Sequence, residues 1–311
     1  MRTATSRGTR AVVRSPEATP LAIVGPTAAG KSALAVEIAR ELDAEIVAVD
    51  SMTIYRGMDV GTAKPTPEQR ALVRHHLLDV AEPTEAFSVA RFQRLAHQVL
   101  RDLQERAVPA LLVGGSGLYF RAAVDDLRFP GTDPAVRRTL EAEAAAGPER
   151  LHARLAAFDP AAAAKIEPAN ARRTVRALEV AAITGRPFSS FADAWDRYPP
   201  ERVDAVGLAL PPEVLRARIV DRVQRMLDGG LLDEVRRLLE RGAGPFLTSS
   251  QAIGYLEVVE HLEGRIALDE VTERTIRRTK ALARRQMAWF RRDPRIRWFA
   301  DPDDLKEHVL R

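Results

Sequence analysis

The chain has 311 residues, of which 46% are hydrophobic, and a formal net charge of +4. This composition supports a substantial core and excludes wholesale disorder, and no uncharged apolar stretch reaches the length of a membrane span, so we expect a soluble protein without membrane contact. There is no cysteine, which excludes disulfides, zinc-thiolate sites and thiol catalysis and suits a cytoplasmic location.

Residues 1–19 are predicted to form a disordered N-terminal tail. They carry Arg2, Arg7, Arg10 and Arg14 among serine and threonine, with no acid before Glu17. An organellar transit peptide has a similar composition, but the segment shows no apolar helical face, which favours the tail.

The first predicted strand, 21–24, runs directly into a phosphate-binding loop and then a helix from Ser32 to about residue 42. The loop consists of Gly25, Pro26, Thr27, Ala28, Ala29, Gly30, Lys31 and Ser32. Its glycines permit a tight turn that directs backbone N–H groups inward, where the helix N-terminus adds positive potential. Lys31 can reach terminal phosphates and the Ser32 hydroxyl can ligate Mg²⁺, so we predict an anion site with Mg²⁺ as cofactor.

Strands and helices alternate beyond the loop. A second strand, 45–49, ends at Asp50-Ser51; Ser88 caps a helix to about Arg106, and a third strand, 110–113, ends in the turn 114–117. The pattern predicts an α/β fold in which a P-loop-containing parallel sheet is flanked by helices. Because ligands bind beyond the carboxyl ends of such strands, the three strand ends are expected to converge on one crevice.

The sequence pattern changes between about 133 and 199, where alanine-rich helical segments replace the alternating strands and helices. The segments are 133–146, 148–157, 160–166 and 171–184. We therefore predict a core domain in two parts, 20–130 and 201–311, interrupted by an all-helical insertion at 131–200. The second part is predicted to contain a strand at 203–208 and helices at 212–228, 231–241 and 269–292.

The last long helix is strongly basic. Ile276, Ala283, Met287 and Phe290 form an apolar stripe that is expected to pack on the core, with the arginines directed outward. Such a face is either solvated or in contact with nucleic acid, and the excess of cations over acids favours nucleic acid.

Asp50 allows three interpretations. An acid after an apolar strand is typical of the Mg²⁺ ligand in nucleotide hydrolases, which would favour a nucleotide kinase. It could instead act as a general base beside the phosphate site, or simply cap the turn after its strand. The pair His75-His76 is interpreted as packing or hydrogen bonding to the backbone, because adjacent histidines point in different directions and lack an acidic ligand set.

Five ordered motifs resemble those of the tRNA dimethylallyltransferase (isopentenyltransferase) family, over about residues 20–300. They are the stretch 50–65 (DSMTIYRGMDVGTAKP), 75–79 (HHLLD), 87–90 (FSVA), 114–119 (GGSGLY) and 251–255 (QAIGY). The resemblance implies transfer of a dimethylallyl group from dimethylallyl diphosphate to the N6 amine of the adenosine 3′-adjacent to the anticodon in tRNA. Asp50 would then be the base, and the phosphate loop would hold the leaving diphosphate.

The resemblance also assigns functional residues. Ser116, where most relatives have threonine, lies at the mouth of the reaction channel and acts in catalysis and tRNA contact, and Arg222 touches the diphosphate. The implied tRNA contacts are Asp50, Ser51, Met52, Thr53, Arg137, Arg172, Arg173, Thr174, Val175, Arg176, Gln251, Ala252, Ile253, Gly254 and Tyr255. Leu256 departs from the lysine or arginine of many relatives. An equally weighted alternative to diphosphate contact is that Arg222 is a solvated residue on its helix.

The expected partners are the tRNA anticodon stem-loop and dimethylallyl diphosphate, bound by a monomer. Three other functions remain open at this point: a kinase or nucleotide hydrolase with Asp50 on Mg²⁺, an enzyme that prenylates free adenine nucleotides, and an RNA-binding module with a vestigial loop.

Overall fold

The computed structural model describes residues 19–192, 194–242 and 252–311. They form two compact units, one from the chain up to Val124 together with Pro199–Arg311, the other from Asp125–Tyr198. The predicted tail lies outside the described residues except for Thr19. The helical insertion predicted at 131–200 corresponds to the second unit, whose bounds in the structure are Asp125–Tyr198. No helix in the described part combines the length and apolar character needed to cross a membrane.

The larger unit is built on a parallel sheet, six-stranded within the described residues, which confirms the predicted fold class. Its strands are β1 (Leu21–Val24), β2 (Glu45–Ala48), β3 (His75–His76), β4 (Ala110–Gly114), β5 (Asp204–Leu208) and β6 (Ile296–Phe299). They lie in the order β3-β2-β4-β1-β5-β6, with Leu21 of β1 opposite Leu111 on one side and Asp204 on the other. Every residue of β1 is buried, as expected for a strand covered on both faces.

Helices connect the strands and cover the sheet. They are α1 (Lys31–Glu41), α2 (Pro67–Leu72), α3 (Val89–Glu105), α4 (Gly117–Val124), α9 (Pro212–Asp228), α10 (Leu231–Glu240), α11 (Tyr255–Leu262), α12 (Leu268–Phe290) and α13 (Pro302–Leu310). Between α4 and α9 in the chain, the smaller unit adds α5 (Pro134–Ala146), α6 (Pro148–Phe158), α7 (Pro160–Ala163) and α8 (Ala171–Thr184). The sequence patterns did not predict β3, β6, α2, α11 or α13.

The predicted apolar stripe of α12 is only partly correct. Ala283 and Phe290 are buried, but Ile276 and Met287 are half-exposed. The buried face instead continues through Thr275 and Thr279, one turn apart, because small side chains let α12 lie close to its neighbours α9 and α11.

The arginines of α12 do not form the uniformly outward face that the sequence predicted. Arg274 pairs with Glu260 and Glu270, and Arg278 pairs with Glu257, which is 2% exposed. These two arginines therefore hold α11 against α12. Their charges are compensated within the protein.

The smaller unit packs α5, α6 and α8 around leucine side chains, with Glu179 at 0% exposure. Arg137 and Arg176 donate to its carboxylate at 2.6 and 2.7 Å. Burial alone would raise the pKa of Glu179, but these hydrogen bonds outweigh it and hold the pKa below its ordinary value. Arg176 also donates to the carbonyl of Pro130 at 2.7 Å.

A buried carboxylate fixes the long loop after β2. Glu234 of α10 accepts backbone N–H groups from Asp59 and Val60 at 2.8 Å and from Gly61 at 3.2 Å, and the Tyr255 hydroxyl at 2.6 Å. Gly61 is required here, because a Cβ would lie 2.4 Å from the Tyr255 ring. One side chain thus joins the loop, α10 and α11.

We expect Glu234→Ala to lower the free energy of unfolding by about 3 kcal/mol or more, because it leaves several donors without an acceptor. The neighbouring Asp233→Ala, which removes only an exposed pair with Arg236, should cost less than about 1 kcal/mol. Urea denaturation of both variants measures the difference. Equal losses of unfolding free energy in the two variants would contradict the role of Glu234 in joining the loop, α10 and α11.

Candidate active site

The phosphate-binding loop adopts the conformation that its glycines permit. Gly25 and Gly30 have φ of 139° and 100°, and Ala28 also lies in the left-handed region at 65°. A Cβ at Gly25 would lie 2.6 Å from the Leu208 carbonyl oxygen of β5, so the loop begins where only glycine fits. The Lys31 ammonium donates back to the Pro26 carbonyl at 2.6 Å.

The predicted convergence of three strand ends is confirmed. A cavity of about 1000 Å³ in the larger unit is lined by loop residues including Lys31 and Ser32, by Asp50 after β2 and by the Gly114–Gly117 turn after β4. Helices α9 and α12 supply further lining. The cavity therefore combines an anion-binding loop with a carboxylate.

Positive charge dominates the phosphate end of this cavity. Burial and, to a smaller extent, the nearby Arg222 lower the pKa of Lys31 to about 7, against the opposing effect of Asp50. Burial also lowers the pKa of Arg222, which donates to the Thr62 carbonyl at 3.3 Å and lines the cavity. Arg222 is only partly exposed, so the solvated alternative does not describe it.

Asp50 uses one carboxylate oxygen to shape its own turn. Its Oδ1 accepts the N–H groups of Met52 at 2.8 Å and Thr53 at 3.4 Å, so the capping interpretation is correct for this atom. The other oxygen, Oδ2, has no hydrogen-bond partner among the described residues. Asp50 is thereby held in place while one oxygen stays available to a ligand.

Hydroxyl groups face the same cavity. Ser116 lines it, its Oγ accepts the Tyr119 N–H at 3.5 Å, and its N–H donates to the Val49 carbonyl at 3.4 Å. Two lining residues are buried with no partner for Oγ1 among the described residues: Thr53, which the motif included, and Thr275, which sequence reasoning missed. Buried hydroxyls without partners are candidates for ligand contact.

The remaining residues of the 50–53 and 251–255 motifs differ in accessibility. Ser51, Met52, Ala252 and Ile253 line the cavity, whereas the Tyr255 side chain is buried with its hydroxyl on Glu234. The Gly254 N–H donates to Glu257 at 2.9 Å and caps α11. Gln251 lies outside the described residues.

In the smaller unit the predicted contact residues also separate into two groups. Thr174 and Val175 are buried and Arg137 and Arg176 are bound to Glu179, so these four side chains support the unit's own fold. The side chains of Thr174 and Val175 are buried, and their contact with RNA stays a prediction. Arg172 and Arg173 are exposed.

Helix α12 contributes a face that sequence reasoning missed. Most of its lining residues recur at helical spacing. The lining residues are Thr275, Arg278, Thr279, Ala281, Leu282, Arg285, Gln286 and Trp289. The Trp289 ring lies so close to Gly117 that a Cβ there would be 2.0 Å away. The glycines of the 114–117 turn were a signal that another element packs against that backbone.

Neither histidine of the pair 75–76 lies in a metal cluster among the described residues. His75 Nδ1 bonds to the Val73 carbonyl at 2.8 Å, and His76 Nε2 to Glu45 at 2.5 Å.

A parallel sheet with a glycine-bracketed phosphate loop at the end of its central strand defines an α/β protein of the P-loop class. A sequence model of the family described as IPP transferase matches residues 53–293. A tRNA dimethylallyltransferase from Kineococcus radiotolerans is 53% identical over 302 residues, covering 93% of this chain and 95% of that protein. One from Thermobifida fusca is 51% identical over 300 residues, covering 94% and 93%.

Solved structures agree. The full-length tRNA isopentenylpyrophosphate transferase of Bacillus halodurans superposes with a TM-score of 0.67 at 39% identity, covering 94% of each chain. A eukaryotic dimethylallyltransferase acting on tRNA reaches a TM-score of 0.77 at 26% identity, covering 93% of this chain and 75% of that one. The chain therefore belongs to the IPP transferase family of tRNA dimethylallyltransferases, and the family and prenyltransferase activity predicted from the motifs are confirmed.

The lowered pKa of Lys31 predicts proton uptake on ligand binding. With a pKa of about 7 the amine is largely neutral at pH 8, and a bound diphosphate would stabilise the ammonium form and raise that pKa. We expect binding of pyrophosphate to be accompanied by uptake of close to one proton by Lys31 at pH 8 and of less at pH 6. The affinity for pyrophosphate should therefore fall as the pH rises above 7.

Calorimetric titration in two buffers of different ionisation enthalpy measures this uptake. Lys31→Arg, which stays charged, provides the baseline for protons exchanged by pyrophosphate itself. Identical uptake in the parent and in Lys31→Arg at pH 8 would contradict the assignment.

Proposed function

We propose that the protein transfers a dimethylallyl group from dimethylallyl diphosphate to the N6 amine of the adenosine 3′-adjacent to the anticodon in tRNA, releasing diphosphate. The observation that carries the proposal is that a single cavity holds a cationic phosphate loop and a carboxylate, one oxygen of which has no partner among the residues that the structure describes. Family membership supports the same activity.

The phosphate end of the cavity would bind the leaving group. Loop N–H groups, Lys31 and Arg222 surround a site in which a diphosphate would replace the Lys31–Pro26 contact as the partner of the ammonium. Charge that develops on the diphosphate as the allylic C–O bond breaks would be stabilised by donors already in position.

Asp50 would accept the proton from the acceptor amine. The lone pair of an adenine N6 is delocalised into the ring, so a base within hydrogen-bond reach assists attack. As the N6–C bond forms, the electrons of the C–O bond leave with the diphosphate and the N6 proton moves to Asp50. The fixed Oδ1 leaves Oδ2 for this task.

Mg²⁺ is proposed to bind at Ser32. This hydroxyl is exposed at the first turn of α1 and lines the cavity. A hydroxyl oxygen suits Mg²⁺, which keeps several waters and takes few protein ligands when a substrate supplies phosphate oxygens. The ion would neutralise charge on the diphosphate.

The acceptor base must leave its stack to reach this cavity. Ser51, Met52, Thr53 and Ser116 line the same cavity as Asp50, and an extruded adenine would be held among them. We propose that the exposed Arg172 and Arg173 of α8 contact the RNA backbone. The monomeric state and the cytoplasmic location stay predictions.

A groove beside the cavity offers a second surface for RNA. Arg277, Lys280 and Arg284 of α12 line it with Val220, Ile276 and one acid, Glu273. These three cations have no ion-pair partner among the described residues. They lie at i, i+3 and i+7 and so share one helical face. This part of α12 retains the role that the sequence predicted for the whole helix.

Calorimetric titration with ATP and with dimethylallyl diphosphate distinguishes the kinase alternative from the proposed function. Tight Mg²⁺-dependent binding of ATP without binding of dimethylallyl diphosphate would favour it. Prenylation of adenosine monophosphate as well as an anticodon stem-loop would favour the free-nucleotide alternative.

Substitution of Asp50 tests the base. We expect Asp50→Asn, which retains an oxygen for the Met52 and Thr53 N–H groups, and Asp50→Ala, which does not, each to lower kcat by about a hundredfold or more. The affinity for tRNA should be largely kept. Single-turnover rates with saturating substrates measure the effect, and near-parental activity in Asp50→Asn would refute the assignment.

Salt dependence tests the α12 groove. We expect the double variant Arg277→Gln/Arg284→Gln to weaken tRNA binding and to lower the slope of log K against log salt by about 1 to 2. Dimethylallyl diphosphate affinity should be unchanged. Arg236→Gln, an exposed arginine already paired with Asp233, is the control, and an equal slope change there would exclude a specific contact.

A further inference from the structure

Gln286 of α12 contacts the phosphate loop directly. Its Oε1 accepts the Thr27 N–H at 2.8 Å, so one of the loop's backbone donors is bound by a side chain more than 250 residues away in the chain. Gln286 also lines the cavity. The residue lies outside every motif that the sequence analysis singled out.

The orientation of this amide follows from its partner. A backbone N–H can only donate, so the atom facing Thr27 must be the carbonyl oxygen, and the other end must be the NH₂ group. That nitrogen, Nε2, has no hydrogen-bond acceptor among the described residues. Two N–H donors are therefore presented with their direction already determined.

The position of Nε2 is equally constrained. A Cβ at Gly115 would lie 2.6 Å from Nε2 and 3.4 Å from the Gly25 carbonyl oxygen. The amide thus occupies the narrow space between the start of the phosphate loop and the turn that carries Ser116. Glycine at position 115 makes room for it.

We propose that Gln286 is a binding residue for the diphosphate, donating from Nε2 to a phosphate oxygen while its Oε1 holds the Thr27 end of the loop. The proposal rests on the proposed diphosphate site. An anion is the partner that fits, because the unpartnered group is a pure donor beside the loop. A neutral amide adds a directed hydrogen bond without adding to the positive charge of Lys31 and Arg222 at this site.

Two substitutions separate this role from mere support of the loop. Gln286→Glu keeps an oxygen for the Thr27 N–H but replaces the donor with a negative oxygen. Gln286→Met keeps the approximate volume and removes both the acceptor and the donor. Gln104→Glu makes the same chemical change at an exposed glutamine of α3 and serves as the control.

The probe is inorganic pyrophosphate, titrated calorimetrically at pH 8 into the full-length protein, with thermal unfolding recorded for each variant. We expect the dissociation constant to rise about tenfold or more in Gln286→Glu, by a smaller factor in Gln286→Met, and not in Gln104→Glu. In steady-state assays the KM for dimethylallyl diphosphate should rise in Gln286→Glu while the KM for tRNA stays within about twofold.

A larger rise of the pyrophosphate dissociation constant in Gln286→Met than in Gln286→Glu overturns the inference. If Gln286→Glu binds pyrophosphate as tightly as the parent while Gln286→Met is weakened, the side chain only supports the loop. Failure of the parent to bind pyrophosphate or dimethylallyl diphosphate would instead remove the proposed diphosphate site itself. A loss in Gln286→Glu accompanied by an equal rise in the KM for tRNA would also count against a diphosphate contact.

Discussion

The cavity depends on backbone segments that approach each other more closely than side chains would allow. A Cβ at Gly25 would meet the Leu208 carbonyl oxygen at 2.6 Å, and one at Gly114 would meet the Val49 carbonyl oxygen at 2.1 Å. The end of β1 therefore approaches β5, and the end of β4 approaches that of β2, this closely only because glycine occupies these positions. This close approach places Lys31, Asp50 and Ser116 on one cavity, although they are far apart in the chain.

Electrostatics within that cavity separates two tasks. Cations gather at the phosphate loop, where burial and mutual repulsion lower the pKa of Lys31 and leave a site that gains from binding an anion. The carboxylate of Asp50 is held by the backbone of its own turn, and its other oxygen has no hydrogen-bond partner within the described ranges. A leaving group that gathers negative charge and an acceptor that loses a proton need these opposite environments close together.

Many of the arginines that make the sequence look like an RNA-binding surface stabilise the protein itself. Arg137 and Arg176 neutralise the buried Glu179, and Arg278 neutralises the buried Glu257. Since a buried carboxylate without a partner is costly, these cations are committed to the fold. The cations proposed to contact RNA are those without such partners in the described part of the chain, such as Arg277 and Arg284 on the groove of α12.

The sequence alone determined the phosphate loop, the parallel α/β class, the helical insertion and the family, because these depend on local turn chemistry, on apolar runs and on ordered motifs. It also predicted Asp50, Ser116 and Arg222 as site residues, the last two through family resemblance, and all three line the cavity. It missed the two-residue strand β3, the edge strand β6 and the α12 lining, because a short strand has no periodicity and a helix face is selected by what packs against it. Only the tertiary structure brought Gln286 to the Thr27 N–H and decided which arginines are paired, because both depend on contacts between residues distant in sequence.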